Sequence, residues 1–301
     1  EFLKELRMPP DKEKIIQKLK NALEYTTNKF DNGVRQNRYV KIRLKNVQIT
    51  PLDKARMPNY IKSLKNKILN IIGDVELADI LMDVQLDTNF CSNFRHIGGW
   101  KKEVSPVSNE RLLATLHSIG CNLGPAQTDR STVFKEKQII NTKNMYLSHR
   151  NLRNANNQMV NLYTKMKITN CWGDGSSWSA DGRLMTMVNN NMHATWNVKY
   201  HRVGGMLYTH VGDRYIATSS QLIDCGVFEA EHILDPIYDK ENNLDEKPSK
   251  IHADTHGQTE MLFGFTSLLT IKLMPRIRNL KMYYLYKPDP SSKYRYIDSI
   301  F

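Results

Sequence analysis

The chain has 301 residues, 40% of them hydrophobic and 25% charged, with a formal net charge of +12. That length leaves room for two domains and a sizeable core, and the composition is ordinary for a globular chain. No apolar run approaches the roughly 18–20 residues that cross a bilayer, and no secretory signal opens the chain, so a membrane partner is not expected and a cytoplasmic location is. The first residue is Glu1 rather than Met, which reads as a piece of a longer polypeptide. Four cysteines (Cys91, Cys121, Cys171, Cys225) lie far apart without a Cys-x-x-Cys pair. Structural zinc and a disulfide framework are therefore not expected, and buried free thiols are.

From the N-terminus, residues 1–73 hold 17 Lys/Arg against 7 Asp/Glu, whereas residues 74–94 carry five acids and no base. Residues 213–246 are acidic again, with nine acids and two bases, and residues 265–301 are basic, with seven bases and two acids. Basic ends flanking an acidic middle suit a polyanion running past a cation site, although lysine-rich helices are equally often plain solvated faces. The first 170 residues read as mainly helical. Ile15, Ile16, Leu19, Ala22 and Leu23 form one apolar stripe, and Met57, Tyr60, Ile61, Leu64, Ile68, Leu69 and Ile72 a second. Leu77, Ile80, Leu81 and Val84 form a third, and Leu112, Leu113, Leu116 and Ile119 a fourth that Gly120 is placed to stop. Each stripe has helical spacing and is expected to face a core. Arg35 and Arg38 fit either an ordinary strand or a phosphate contact. The asparagine-rich stretch 141–161 is expected to begin as loop and become helix.

From Trp172 onward the pattern changes. Trp172–Met187 reads as a strand, Val203–Val211 as a second, and Tyr215–Ser219 as a third after a turn at Asp213-Arg214. Apolar residues at 227, 228, 230, 233 and 234 have helical spacing, weakened by Pro236. A polar loop leads to a short strand at Lys250–Asp254, then a helix over Gln258–Leu269, then a strand at Ile271–Met274. The expected order is β-β-β-α-β-α-β, that of a ribonuclease-H-like α/β core with a mixed sheet, preceded by a mainly α-helical region. In that order the ends of the first and fourth strands are neighbours. Asp181 and Asp254 sit at those ends, and paired carboxylates that cannot neutralise each other invite divalent cations. Metal-assisted phosphoryl transfer on nucleic acid is the chemistry this suggests. Asp174, between Gly173 and Gly175, reads instead as a turn residue, and the bland alternative for Asp254 is a helix N-cap.

Four segments in order carry a family resemblance: Trp172-Gly-Asp-Gly-Ser-Ser-Trp-Ser-Ala-Asp-Gly-Arg183, Tyr208-Thr-His-Val211, Ala253-Asp-Thr-His-Gly-Gln258 and Leu273-Met-Pro-Arg276. Together they resemble the catalytic region of the large replicative DNA transposases of the Tn-three type, and the likeness covers about 75 to 290. The resemblance implies a DDE strand transferase that makes cointegrates, cutting at transposon terminal inverted repeats and joining the ends to target DNA. It implies two ions of Mg²⁺ or Mn²⁺, a homodimer of the complete protein, and a bacterial cytoplasmic, nucleoid-associated setting. Asp181 and Asp254 correspond to the first and second acids of the catalytic triad. Arg183, His256, Gln258, Arg276, Arg278 and Lys281 are candidates for contact with DNA, and His210 lies in the matching strand.

The family's third acid is a glutamate well over a hundred residues after the second aspartate. Glu260 is the one glutamate after Asp254, and it matches no acidic position of the motif. The third acid is therefore expected to be absent from this chain, leaving an incomplete portion that is inactive alone. The organisation expected is a basic helical region over 1–73, with DNA contact or linkage as its role, a helical lead-in over 74–168, and a partial catalytic domain over 169–301. A catalytically dead DNA-binding or assembly remnant is one alternative, and an unrelated metal-dependent nuclease on the same fold is another.

Overall fold

A computed structural model describes residues 11–43, 46–51, 53–54, 56–98, 107–188, 190–239, 242–278, 280 and 285–301. It is an α/β structure, a mixed sheet with helices, preceded by a mainly helical region. Helix α1 (Lys12–Gly33) starts at Asp11, whose carboxylate accepts the Glu13 N–H. A hairpin of β1 (Val40–Arg43) and β2 (Asn46–Ile49) follows. Then come α2 (Tyr60–Ile72), α3 (Leu77–Thr88), α4 (Asn109–Gly120), α5 (Pro125–Ser131), α6 (Glu136–Tyr146) and α7 (His149–Lys165). The stretch expected to begin as loop is helical almost throughout, broken only at 147–148, where the Ser148 hydroxyl accepts the Asn151 N–H and starts α7. The short α5 follows Gly124, whose positive φ and the Pro125 behind it form a local helix start that apolar spacing does not register.

The apolar stripes behave differently from one another. In α4, Leu112 and Leu113 are buried in a cluster with Phe90, Phe94, Tyr146 and Ala155, and Leu81 and Val84 of α3 pack against it. In α2 no residue is buried, and Leu64, Ile68, Leu69 and Ile72 are about half exposed. Ile16, Leu19 and Leu23 of α1 and Leu77 and Ile80 of α3 are also exposed. Helical spacing selects a face, but burial needs a second element against that face, and no described element covers these. The expectation that all four stripes are core-facing is corrected accordingly. Of the cysteines, all free, only Cys91 is buried, while Cys121 and Cys171 are exposed.

The sheet begins at β3 (Ser177–Thr186), preceded by a 3-10 turn that contains Cys171. Strand β5 (Arg202–Gly212) runs antiparallel to β3, and both β4 (Thr195–Asn197) and β6 (Ala217–Ile223) pair with the other flank of β5. On its other side β3 pairs in parallel with β7 (Lys250–Ala253), and β7 in parallel with β8 (Lys272–Pro275). The short β4 was not foreseen. Neither was the form of the segment between β6 and β7. The helix expected over Val227–Leu234 is a 3-10 turn at Glu229–Ile233 followed by the four-residue α8 (Asp235–Tyr238). Pro236 has no N–H and fits only a first turn, so it opens α8 and leaves Val227 and Phe228 outside, partly exposed. Helix α9 (Glu260–Leu268) then returns the chain to β8, with the Thr259 hydroxyl accepting the Leu262 N–H.

Trp178, Ala180, Met206, Tyr208, Ile223, Ile233, Ile237, Ile251, Leu262 and Leu273 form the core on one face of this sheet. His210 lies in the same layer, fully buried, with Nε2 3.0 Å from the Ile233 carbonyl and its ring edge-on to Tyr208. Nε2 must donate to that carbonyl, so Nδ1 is the unprotonated nitrogen, and it has no partner. Burial holds the imidazole down at about 4. A base whose folded pKa is depressed binds protons in the unfolded chain first, so stability is full above about 6.5 and falls as pH drops toward 4. Denaturation series are expected to show a loss of about 3 kcal/mol across that window, and His210→Phe is expected to remove most of this dependence.

The two ends of the chain meet. Asp31, buried at the end of α1, accepts the N–H groups of Arg295, Tyr296 and Ile297 at 2.7–3.0 Å. Val34, Tyr294 and Ile297 form a small cluster beside it. Asp31→Ala would leave three donors without their acceptor, one of them, the Ile297 N–H, buried, an effect of about 1–3 kcal/mol. It is expected to make the 285–301 segment sensitive to limited proteolysis while cleavage within the sheet is unchanged.

Candidate active site at the strand ends

The parallel pairing of β3 with β7 sets the geometry. Its rungs are Ser177 with Lys250, Trp178 with Ile251, Ser179 with His252 and Ala180 with Ala253. One residue beyond the last rung come Asp181, still within β3, and Asp254, the residue that follows β7. Strand alternation turns Trp178 and Ala180 into the core, and Ser179 and Asp181 away from it. Asp254 has just left β7: its Oδ1 accepts the His256 N–H at 2.9 Å, capping a 3-10 turn at Thr255–Gly257, and its Oδ2 lies 3.6 Å from His256 Nδ1. The cap and the role in the cleft are compatible, because the cap uses one oxygen. Asp181 Oδ1 accepts the Gly182 N–H at 2.9 Å.

Both aspartates line a cleft of about 460 Å³ with Glu229, His256, Trp196, Lys199 and Tyr200. The cleft lies beside the middle of β3 and the carboxyl end of β7. Glu229, from the 3-10 turn after β6, reaches in over Gly182, where a Cβ would stand 2.5 Å from Glu229 Oε2. Its half-burial, with the charges of Asp254 and Asp181, pushes this carboxyl above its ordinary value against the pull of His256 and Lys199. Tyr208 beneath reports the same field: burial raises its phenol, and Glu229, Asp254, Asp181 and Asp235 raise it further. The potential here is negative, which favours cations. Asp181, Asp254 and Glu229 are hard oxygen donors of the kind a divalent ion takes. Among the described residues, no three His, Cys, Asp or Glu side chains already stand at ligand spacing.

The remaining candidates divide. His256 lines the cleft, and Arg183 is exposed two residues beyond Asp181 on β3. Gln258 is occupied locally, its Oε1 accepting the Arg278 N–H at 3.1 Å, so it holds backbone. Arg276 continues the β7–β8 ladder through its N–H to the Ala253 carbonyl, and its side chain, like that of Arg278, is exposed. Lys281 lies outside the described residues. Arg35 falls in a 3-10 turn with its guanidinium over Tyr296, and Arg38 pairs with Asp53 at 2.9 Å. Asp174 accepts the Ser176 N–H in the turn before β3. The Asp213 carboxylate accepts the N–H groups of Gly175 and Ser177 and so clasps that turn.

Glu229, Lys199, Trp196 and Tyr200 escape a reading of spacing alone, because they come from a 3-10 turn and a short hairpin. One signal was available: Arg183 to Gly212 contains three Lys/Arg, two Trp/Tyr residues near Lys199, and no acid. Gly182, which lines the cleft, and Gly204 of β5 should respond differently to a methyl group. At Gly182 the new Cβ meets the movable end of Glu229, whereas at Gly204 it meets the Met185 carbonyl of the backbone. Thermal denaturation is expected to show under about 1 kcal/mol of loss for Gly182→Ala and about 2–3 kcal/mol for Gly204→Ala.

Asp181 lies in the middle of β3, paired with Thr209 of β5, and not at a strand end as the sequence led one to expect, because β3 continues along β5 to Thr186; Asp254 does follow the end of β7. Comparison with known proteins gives the class. The family model described as the Tn3 transposase DDE domain matches residues 79–301, so the chain belongs to that family. It is 28% identical over 248 residues to the transposase of transposon Tn1546 from Enterococcus faecium, which covers 81% of this chain and 25% of that protein. It is 24% identical over 302 residues to the transposase of transposon gamma-delta from Escherichia coli K12, covering 97% of this chain and 30% of that protein. A 26% match over 255 residues links it to the transposase of transposon Tn3926 from Escherichia coli, covering 82% of this chain and 25% of that one. The chain thus spans between a quarter and a third of the length of these relatives.

Proposed function

We propose that this chain is part of the catalytic region of a cointegrate-forming DNA transposase, with a ribonuclease-H-like core in which Asp181 and Asp254 hold two Mg²⁺ or Mn²⁺ ions. The observation that supports the reading is that Asp181 and Asp254, each one residue past the last β3–β7 rung, line the same cleft. The element order supports the core assignment: an antiparallel β3–β5–β6 set, then β7 and β8 parallel to β3. When bound, the ions would activate a water against the scissile phosphate and stabilise the departing 3′ oxygen. The chain's own part is placement. Asp181 and Asp254 fix where a phosphate can sit, and His256 stands at the same mouth. The exposed Arg183, Arg276 and Arg278 flank it as contacts for the phosphate backbone, as Lys281 would by its place in the sequence.

In this reading the chain supplies two of the three triad acids. Glu260 lies in the first turn of α9 and does not line the cleft. The substrates are transposon terminal inverted repeats and target DNA, the complete protein is a homodimer, and its setting is the nucleoid of a bacterial cytoplasm. Among the described residues, no helix is long and apolar enough to cross a membrane. The domain limits proposed are 1–73, 74–168 and 169–301.

Titration with Mn²⁺, followed by paramagnetic resonance of the free ion, is the test. Asp181→Ala and Asp254→Ala are each expected to weaken binding at least about ten-fold, because each removes an anionic ligand, while Arg183→Ala should bind as well as the parent. Saturating Mg²⁺ should raise the melting temperature of the parent but of neither aspartate variant. Undiminished Mn²⁺ binding in both aspartate variants would remove the proposed site.

A further inference from the structure

The cleft has lining residues that the acids do not explain. Trp196 and Tyr200 line it with the carboxylates, 56% and 49% exposed. Large aromatics left this open on a folded chain mark a surface made for contact. They are not on a slack loop. Trp196 is in β4, paired with Val203 of β5. Asn197 beside it is buried, with Oδ1 accepting the Tyr200 N–H at 2.9 Å and Nδ2 3.9 Å from the Met206 sulfur. His201 closes the turn in the left-handed region, at φ 50°. A buried amide thus holds the hairpin tip in shape and presents both rings.

The hairpin that carries the rings also carries two cations. Lys199 Nζ lies 5.2 Å from the centre of the Tyr200 ring, and Arg202 is exposed one turn of chain away. From Arg183 to Gly212 the chain has no Asp or Glu. The cleft therefore combines two aromatic rings and a lysine with carboxylates in one lining. A nucleotide matches all three features: a base for the rings, a phosphate for the lysine, and a phosphate oxygen for an ion on the acids. Bases within a duplex have both faces covered by their neighbours, so a ring face here meets only a base that is unpaired or extruded.

We infer that this cleft seats an unpaired nucleotide, its base stacked on Trp196 and Tyr200, so that the site takes a single-stranded or frayed DNA end rather than a continuous duplex. The inference rests on the reading above that Asp181 and Asp254 engage the same strand through cations. It adds the substrate class and two residues that select it. Phe228, 45% exposed on the turn that carries Glu229, lines the same cleft.

The test is fluorescence anisotropy with three labelled oligonucleotides of one sequence: a blunt duplex, the same duplex with a three-nucleotide unpaired end, and the single strand. Ca²⁺ replaces Mg²⁺ so that no cleavage intervenes. The expected result is at least about ten-fold tighter binding of the unpaired-end duplex than of the blunt one, since each stacked base contributes about that much. Trp196→Ala and Tyr200→Ala should each lower that affinity about five-fold or more and leave blunt-duplex affinity within two-fold. Trp196→Phe, which keeps a ring, should restore most of it, and this separates stacking from a folding defect. 2-Aminopurine at the unpaired position should be quenched by the parent and not by Trp196→Ala.

Equal affinity for the blunt and unpaired-end duplexes overturns the inference. So does a loss in Trp196→Ala that is the same for both, or a change in self-association in place of DNA affinity. Mn²⁺ binding separates this outcome from failure of the broader reading. An unpaired-end preference that survives in a chain without Mn²⁺ binding sinks only the metal assignment, and Mn²⁺ binding without the preference sinks only the stacking seat.

Discussion

The pairing of two parallel strands is the constraint on which the rest depends. Four rungs join β3 to β7, and their register is held by Trp178, Ala180 and Ile251 packing into one core. A slip of one residue would turn every side chain to the opposite face. It would expose Trp178 and Ile251 to water and carry Asp181 away from Asp254. The hydrophobic core therefore does more than stabilise the domain. By fixing which side of β3 is apolar, it fixes where a charge can stand on the other side.

The same reasoning explains the one-sidedness of the molecule. The inner face of the sheet is filled by residues from the 3-10 turn, α8 and α9, with His210 fully enclosed among them. The outer face carries Ser179, Asp181, Arg183, Met185, His252 and Met274, all exposed. Asp181 is exposed on that outer face, whereas Glu229, half-buried over Gly182, has its carboxyl pushed above its ordinary value by burial first and then by the charges of Asp254 and Asp181.

Toward the N-terminus the chain is bound to the sheet by polar contacts rather than by a shared core. Helix α7 spans the junction. The Tyr163 hydroxyl donates to the Arg214 carbonyl, the Arg214 guanidinium donates to the Thr164 carbonyl and pairs with Glu246, and Arg153 pairs with Asp239 at 2.7 Å. Asn161 bridges to the Asn243 carbonyl and the Asp245 N–H. The asparagine-rich composition of this helix becomes intelligible here, because an amide side chain can both donate and accept across an irregular loop. Farther out, no described element covers the apolar stripe of α2.

By itself the sequence determined the strands and helices whose signals are local. β-rich composition marked β5, helical spacing marked α4, with Gly120 as its stop, and α9, and the motif around Asp181 and Asp254 marked the two acids and their family. Only the tertiary structure decided which stripes are covered, since burial belongs to two surfaces and α2 carries only one. It also replaced the helix expected before Leu234 by a 3-10 turn, because Pro236 can open a helix but not continue one. That turn brought Glu229 over Gly182, and the β4 hairpin brought Trp196 and Tyr200 to the same cleft. Residues separated by dozens of positions share no local pattern. Their meeting was set by strand register and chain reversal, which are properties of the packed chain.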